Sequence, residues 1–132
     1  MMMKSMNKYG AKKVTDPATG FVFDSQAEFV RWCELRILER AGKITNLDRQ
    51  VTFELIPMQR EKSTEIYKAG PCKGLPKPGA IIERPCTYVA DFVYKDSDGK
   101  TVVEDTKGVK TEAYKIKRKL MLWIHGIKIK EV

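Results

Sequence analysis

The chain has 132 residues, a length that favours one domain with a single hydrophobic core. Hydrophobic residues make up 42% and charged residues 32%, which excludes the composition of a disordered protein. No apolar run approaches the roughly 18 residues of a membrane span, and we expect no secretory signal. Three cysteines without zinc-ligand spacing are expected to be reduced thiols of a cytoplasmic protein, namely Cys33, Cys72 and Cys86.

The net charge of +8 is concentrated at the two ends of the sequence. Residues 1–13, which we interpret as a flexible arm before one domain over 14–132, contribute +4, and residues 107–130 contribute +7. This concentration of positive charge favours binding of a polyanion, because each contact with a phosphate releases condensed counterions. A solvated lysine-rich surface is the alternative. The candidate DNA-binding residues in these segments are Lys12, Lys13, Lys110, Lys115, Arg118 and Lys119.

The first helix is predicted to begin at Asp24 or Ser25 and to end near Ala41. Gly42 follows at the position where glycine commonly terminates a helix. Its main stripe is predicted to comprise Val30, Cys33, Ile37 and Ala41. Trp32, Leu35 and Leu38 lie on other sides of this helix than its main stripe, so the helix is expected to be buried on more than one face.

Three strands are predicted in the middle of the chain. Residues 51–56 alternate between apolar and polar, and residues 88–94 and 101–105 flank a hairpin signal. Between them, residues 57–85 are rich in proline and glycine. We interpret this part as an irregular insertion with a short paired segment near 65–67.

A second helix is predicted from a Thr111 cap to about His125, ended by Gly126, and a last strand over 127–130. This order of elements predicts an α/β fold with a central mixed β-sheet of about five strands, flanked by helices on both faces. The buried stripe of the second helix is predicted to be Ala113, Ile116, Leu120 and Ile124.

An acid and a lysine, Asp105 and Lys107, share one face of the second hairpin strand. The first hairpin strand is predicted to carry two sets of side chains on opposite faces, namely Val89, Asp91 and Val93 on one and Tyr88, Ala90, Phe92 and Tyr94 on the other. A three-residue hairpin loop with a left-handed Gly99 would place Asp91 across from Asp105. A two-residue turn would place the two acids on opposite faces.

Two facing carboxylates repel each other unless a cation lies between them. Mg²⁺, with Mn²⁺ as a substitute, suits oxygen ligands and keeps waters that can become nucleophiles. Lys107 is placed to orient the attacking water or to stabilise a phosphoryl group, and the carbonyl of Thr106 is placed to add a ligand. With Asp91 and Asp105, these residues predict metal-assisted phosphodiester hydrolysis.

The same residues resemble a known family. Asp91, followed by Asp105-Thr106-Lys107 after a hairpin, is similar to the PD-(D/E)XK nuclease signature, with Ala90 where the family often has proline. Glu28 resembles the accessory acid of that family's N-terminal helix. Outside the insertion, the chain looks like a phage family of small nuclease-fold proteins, on the segments Lys8-Tyr9-Gly10, Phe23-Asp24-Ser25-Gln26-Ala27-Glu28, Tyr88-Val89-Ala90-Asp91-Phe92 and Val103-Glu104-Asp105-Thr106-Lys107-Gly108.

The resemblance implies a restriction-endonuclease-like fold and structure-selective cleavage of branched DNA, as in Holliday-junction resolvases. It implies catalytic roles for Asp91, Asp105, Lys107 and Glu28, and it implies no nucleotide cofactor. Symmetric cleavage of a junction needs two active sites, so we expect a two-fold homodimer.

Alternatives remain at two levels. Ser25 and Glu28 match a capping box, in which the glutamate bonds back to the helix start instead of serving the site. Gln50, at the start of the first predicted strand, could approach the site, but we interpret it as a structural polar residue. For the whole protein, the alternatives are a non-catalytic basic DNA-binding module and a site-specific or transposase-associated endonuclease.

Overall fold

The computed structural model describes residues 12–132. The predicted arm therefore lies outside the described residues apart from Lys12 and Lys13, which are exposed. The segment Lys8-Tyr9-Gly10 lies outside them as well. In chain order the elements are β1 (Val14–Thr15), β2 (Val22–Phe23), α1 (Gln26–Arg40), β3 (Thr45–Ile56), β4 (Gln59–Arg60), β5 (Ile81–Glu83), β6 (Cys86–Lys95), β7 (Thr101–Asp105), α2 (Glu112–His125) and β8 (Lys130–Glu131).

The central sheet is mixed, as predicted, with the strand order β3-β6-β7-β8. The first three strands are antiparallel, and β8 pairs in parallel with β7. In the described part of the chain this sheet has four strands instead of the expected five or so. The apolar run at 21–23 pairs with β1 in a separate hairpin, and the insertion forms its own small sheet from β4 and β5.

The two helices cover opposite faces of the central sheet. Val102 packs against the cluster under α1, and Val103 belongs to the cluster under α2. Adjacent residues of a strand point to opposite faces, so the two clusters lie on opposite sides. The α1 cluster contains Phe23, Trp32, Leu35, Ile44, Phe92 and Tyr94, and the α2 cluster contains Leu55, Tyr88, Ala90, Val103, Tyr114, Met121 and Ile129.

The ends of both helices agree with the prediction, and the buried faces do not. Ser25 and Thr111 are the N-caps, and Gly126 ends α2 in the left-handed conformation. The predicted stripe of α1 is wrong, because Trp32 and Leu35 are the buried residues while its members Val30, Cys33, Ile37 and Ala41 are exposed. In α2, Tyr114 and Met121 are buried while Ala113, Ile116 and Ile124 are exposed.

In α1 the physical reason is side-chain size. Trp32 stacks on Phe92 with ring centroids 6.1 Å apart, and burying this large ring removes more apolar surface from water than burying the predicted stripe would. Size does not decide the orientation of α2, because Tyr114 lies 6.4 Å from Tyr88 while the larger Trp123 is 87% exposed.

Residues 57–85 form a ribbon of paired segments outside the central sheet. Besides β4 and β5, Ile66 pairs with Pro76, which confirms the predicted paired segment near 65–67. The ribbon requires glycine at position 79, because a Cβ there would lie 1.9 Å from the carbonyl oxygen of Glu61. Within residues 12–132, no helix combines the length and the apolar character needed to cross a membrane.

Candidate active site

The hairpin between β6 and β7 brings two acids to the same level of the sheet. Gly99 has a φ of 78°, and Phe92 pairs with Glu104. The next position along the same register places Asp91 across from Asp105. The three-residue loop predicted from the sequence is therefore confirmed, and so is the register that depends on it.

The two carboxylates are buried and differ in their partners. Asp105 is fully buried, and Asp91 is 9% exposed. The Thr106 N–H donates to Asp91 Oδ2 at 2.8 Å, and the Tyr88 hydroxyl donates to Asp105 Oδ2 at 2.6 Å. Within residues 12–132, Asp105 Oδ1 has no hydrogen-bond partner, although Lys107 Nζ lies 3.5 Å away as an ion-pair contact.

This environment raises the pKa of Asp91 to about 8. Loss of solvent is the largest cause, followed by the hydrogen bond and charge of Asp105 and the charge of Glu28, while the Thr106 N–H acts in the opposite direction. Without a cation, the pair therefore holds a proton at neutral pH. A carboxylate pair of this kind is arranged for a positive charge that its own surroundings do not fully supply.

The raised pKa of Asp91 predicts how stability depends on pH. Between 3.8 and about 8 the folded chain binds this proton more tightly than the unfolded chain, so the free energy of unfolding falls as pH rises. In EDTA, urea unfolding is expected to give a lower free energy at about pH 8 than at about pH 5, and Asp91→Asn should reduce the difference. Asp98→Asn, at an exposed position of the hairpin loop, should keep the wild-type difference. A wild-type slope in Asp91→Asn would contradict the prediction.

Glu28 belongs to the N-terminal cap of α1, and its charge acts on Asp91. Its N–H donates to Ser25 Oγ at 3.1 Å, and its Oε2 accepts from the Asp24 N–H at 3.1 Å, one residue earlier than in a capping box. The Gln50 amide donates to the other oxygen, Oε1, at 3.1 Å. Burial raises the pKa of Glu28 despite these hydrogen bonds. Glu28 thus bonds back to the helix start as predicted, but to Asp24 instead of the N-cap Ser25. It also lies near enough to Asp91 for its charge to raise the pKa of that residue.

At the level of Asp91, the alternation of side chains between the two faces of the sheet is broken in both β3 and β6. On β6, Ala90 packs on the α2 side and Phe92 on the α1 side, although regular alternation would keep them together. On β3, Arg49 stacks over rings of the α1 side, and Phe53 packs on the α2 side. The regular alternation predicted from the sequence is therefore wrong at this level.

The break in alternation explains two contacts that the sequence did not reveal. Tyr88 would face away from Asp105 in a regular strand, but it donates a hydrogen bond to that residue. Gln50, interpreted from the sequence as structural, reaches Glu28. Two-residue periodicity carries no signal for either contact, because the break in alternation depends on the pairing of distant strands.

Glu104 belongs to a different set of contacts on the α1 face. It is fully buried and accepts two hydrogen bonds from Arg31, each 2.8 Å long, and one from the Tyr94 hydroxyl. Burial raises the pKa of Glu104, but these hydrogen bonds and the charge of Arg31 outweigh it and hold the pKa below its ordinary value. Glu104 is thus engaged on the opposite face from Asp105.

Tyr114 joins the acid pair to the basic side of α2. Lys107 Nζ lies 5.3 Å from the centroid of its ring, and the Arg118 guanidinium lies 5.9 Å from it. Burial raises the pKa of Tyr114, and the charge of Asp105 adds to the shift. Lys107, predicted as a site residue, is therefore held between Asp105 and Tyr114.

Nearby acids partly neutralise the predicted DNA-binding residues. Lys110 and Arg118 both pair with Glu131, at 3.2 and 3.0 Å, and Lys115 pairs with Glu112 at 3.2 Å. Lys119 is exposed. A groove of about 300 Å³ runs between the end of α2 and the last strand, lined by Arg118, Lys119, Leu122, Lys128, Ile129 and Glu131.

A metal ion at the acid pair would have two carboxylate ligands. Within residues 12–132, no group of three or more Asp, Glu, His or Cys side chains is placed to hold a metal. Mg²⁺ usually takes only one or two carboxylates and fills its other positions with water and substrate phosphate. Asp91 and Asp105 are the residues that would hold a cation of this type, and Asp105 Oδ1 accepts no hydrogen bond within the described residues.

Taken together, the fold and this site define a small α/β protein that holds an acid pair and a lysine at one end of a mixed sheet. The chain belongs to the family described as "Protein of unknown function (DUF1064)", whose model matches residues 6–129. No curated protein and no solved structure gives a significant match to the chain. Its chemistry must therefore be argued from the site itself.

Proposed function

We propose that this protein is a divalent-metal-dependent DNA endonuclease with a restriction-endonuclease-like fold. The observation that carries the proposal is the pair Asp91 and Asp105, which lie across from each other on two strands, with one buried carboxylate oxygen that accepts no hydrogen bond within residues 12–132. Lys107 Nζ lies 3.5 Å from that oxygen. Acid, acid and amine at one point are the groups that phosphodiester hydrolysis requires.

Each residue has a role in this proposal. Asp91 and Asp105 would hold Mg²⁺ or Mn²⁺, with the carbonyl of Thr106 as a further ligand. The bound cation would supply an acidic water and neutralise charge on the phosphate. Lys107 donates a hydrogen bond to the scissile phosphate or to the attacking water, and Glu28 contributes negative charge beside Asp91.

We propose branched DNA, such as a four-way junction, as the substrate. The net charge of +8 and the exposed lysines, among them Lys12, Lys13 and Lys119, favour a polyanion. A junction is cut symmetrically when two active sites act together, so the proposal includes a two-fold homodimer.

The test is a cleavage assay on matched four-way, flap, nicked and linear DNA. We expect cleavage of the four-way substrate in Mg²⁺ or Mn²⁺, and none in EDTA. Lys107→Ala should lower the rate constant about 10²–10³-fold, the usual loss when a transition-state hydrogen-bond donor is removed. Lys100→Ala, at the exposed tip of the hairpin, is the matched control and should cleave like the wild type.

Other outcomes of this assay separate the alternatives. A preference for linear duplex would remove the resolvase role and favour a site-specific or transposase-associated endonuclease. Binding of every substrate without cleavage in either metal would favour a non-catalytic DNA-binding module. A monomer under the conditions of cleavage would contradict the homodimer.

A further inference from the structure

Strand β3 contains two residues in a conformation that L-amino acids rarely adopt. Asn46 has a φ of 56° and Gln50 a φ of 54°, and within residues 12–132 they are the non-glycine residues with positive φ. Asparagine enters the left-handed region relatively easily, because its short side chain bonds locally. Glutamine has no such advantage, so the conformation of Gln50 needs another reason.

Gln50 lies at the level of the acid pair. The flanking pairs Arg49–Phe92 and Val51–Ala90 have the same register, which places Gln50 across from Asp91. This is also the level at which the alternation of side chains between the two faces is broken in β3 and β6. The unfavourable backbone conformation therefore coincides with the site and not with a surface turn.

The left-handed conformation accounts for where two adjacent side chains go. In a regular strand the side chains of Arg49 and Gln50 would point to opposite faces. Instead, Arg49 lies over the rings of Phe21 and Phe23 at 4.8 and 4.6 Å, and Gln50 Nε2 donates to Glu28 Oε1 at 3.1 Å. Both side chains thus reach elements at the start of the chain, β2 and α1.

We infer that Gln50 is a positioning residue, which holds the Glu28 carboxylate where its negative charge acts on Asp91 and thereby strengthens the binding of a divalent cation by Asp91 and Asp105. This inference rests on the proposed function. Glu28 Oε2 is held by the Asp24 N–H, and Gln50 holds Oε1, so the orientation of the carboxylate is defined from both ends. Glycine at position 50 would relieve the backbone but leave Oε1 without this donor.

The test compares Gln50→Gly with Asn46→Gly. Both replacements remove a non-glycine residue with positive φ from the same strand, and only the first removes a contact with the site. We expect both variants to keep or raise the wild-type thermal midpoint in EDTA. Gln50→Gly should bind Mn²⁺ about 10–100-fold more weakly, as is usual when the partner of a metal-site residue is lost, and Asn46→Gly should bind it like the wild type.

Two further readouts distinguish positioning from a structural role. Gln50→Asn introduces a residue that tolerates positive φ and keeps the amide, but its side chain is one methylene shorter, so we expect weakened Mn²⁺ binding here as well. In the cleavage assay, Gln50→Gly should lower kcat and leave the KM for DNA unchanged.

Wild-type Mn²⁺ affinity in Gln50→Gly, in a protein that cleaves DNA, would overturn this inference and leave the proposed function intact. A wild-type protein that neither binds Mn²⁺ nor cleaves DNA would overturn both.

Discussion

Asp105→Asn is expected to abolish DNA cleavage and, in the absence of metal, to make the protein more stable. The substitution removes a charge that the metal would need, and cleavage should fall at least about 10³-fold, because a bound cation contributes several kcal/mol to the transition state. The same charge raises the pKa of Asp91. Its removal lowers the pKa of Asp91 toward its ordinary value, so that the folded chain no longer has to hold this proton as tightly. Near pH 8, each unit by which the pKa of Asp91 falls corresponds to about 1.4 kcal/mol.

The opposite signs of these effects make the experiment specific. If Asp105 only supported the fold, replacing it would lower the cleavage activity and the free energy of unfolding together. Asparagine retains an oxygen that can accept the hydrogen bond of Tyr88, which limits disturbance of the packing. Stability is measured by urea unfolding in EDTA, and DNA binding by gel shift, where we expect binding to be retained. Asp98→Asn controls for the loss of one negative charge, and cleavage by Asp105→Asn at the wild-type rate would contradict the proposed function.

Arg31→Met is expected to destabilise the protein by about 3–5 kcal/mol. It leaves the fully buried Glu104 without the guanidinium that donates two hydrogen bonds to it. The remaining partners of the carboxylate are the Tyr94 hydroxyl and Lys130, whose Nζ lies 4.0 Å from Oε2. The free energy lost when a buried charge loses its guanidinium partner is much larger than the free energy gained from packing the methionine side chain. The free energy of unfolding, measured in urea at neutral pH, tests the expectation.

A matched control isolates the buried pair. Arg31 also contacts Glu34 at 2.9 Å, and the Glu34 side chain is 55% exposed. Glu34→Gln should therefore change the free energy of unfolding by less than about 1 kcal/mol, since exposed ion pairs contribute little. The double variant Arg31→Met with Glu104→Leu should recover much of the loss. A loss below about 1 kcal/mol in Arg31→Met alone would show that Glu104 is not held as a buried charge.

Local rules predicted the ends of the helices and the hairpin. Ser25, Thr111 and Gly126 cap helices as their side chains and backbone freedom dictate. Gly99 permits the three-residue loop, and that loop alone determines that Asp91 lies across from Asp105. The acid pair was therefore predictable, because it depends on residues close together in the chain.

The buried faces of the helices were not predictable in this way. Apolar residues surround α1, so periodicity favoured Val30 and Ile37, whereas packing on the sheet selected Trp32 and Leu35. Which side of such a helix is buried depends on the shape of the surface it meets, and one sequence segment does not contain that information.

The contacts around the acid pair also divide into those that the sequence determined and those that depend on the tertiary structure. The amino-acid sequence by itself determined the acids, the lysine and the register of the hairpin that carries them. Only the tertiary structure decided that Tyr88 bonds Asp105 and that Gln50 bonds Glu28. Both contacts depend on a change of face in two paired strands that lie far apart in the chain, and strand pairing at that range is an outcome of folding as a whole.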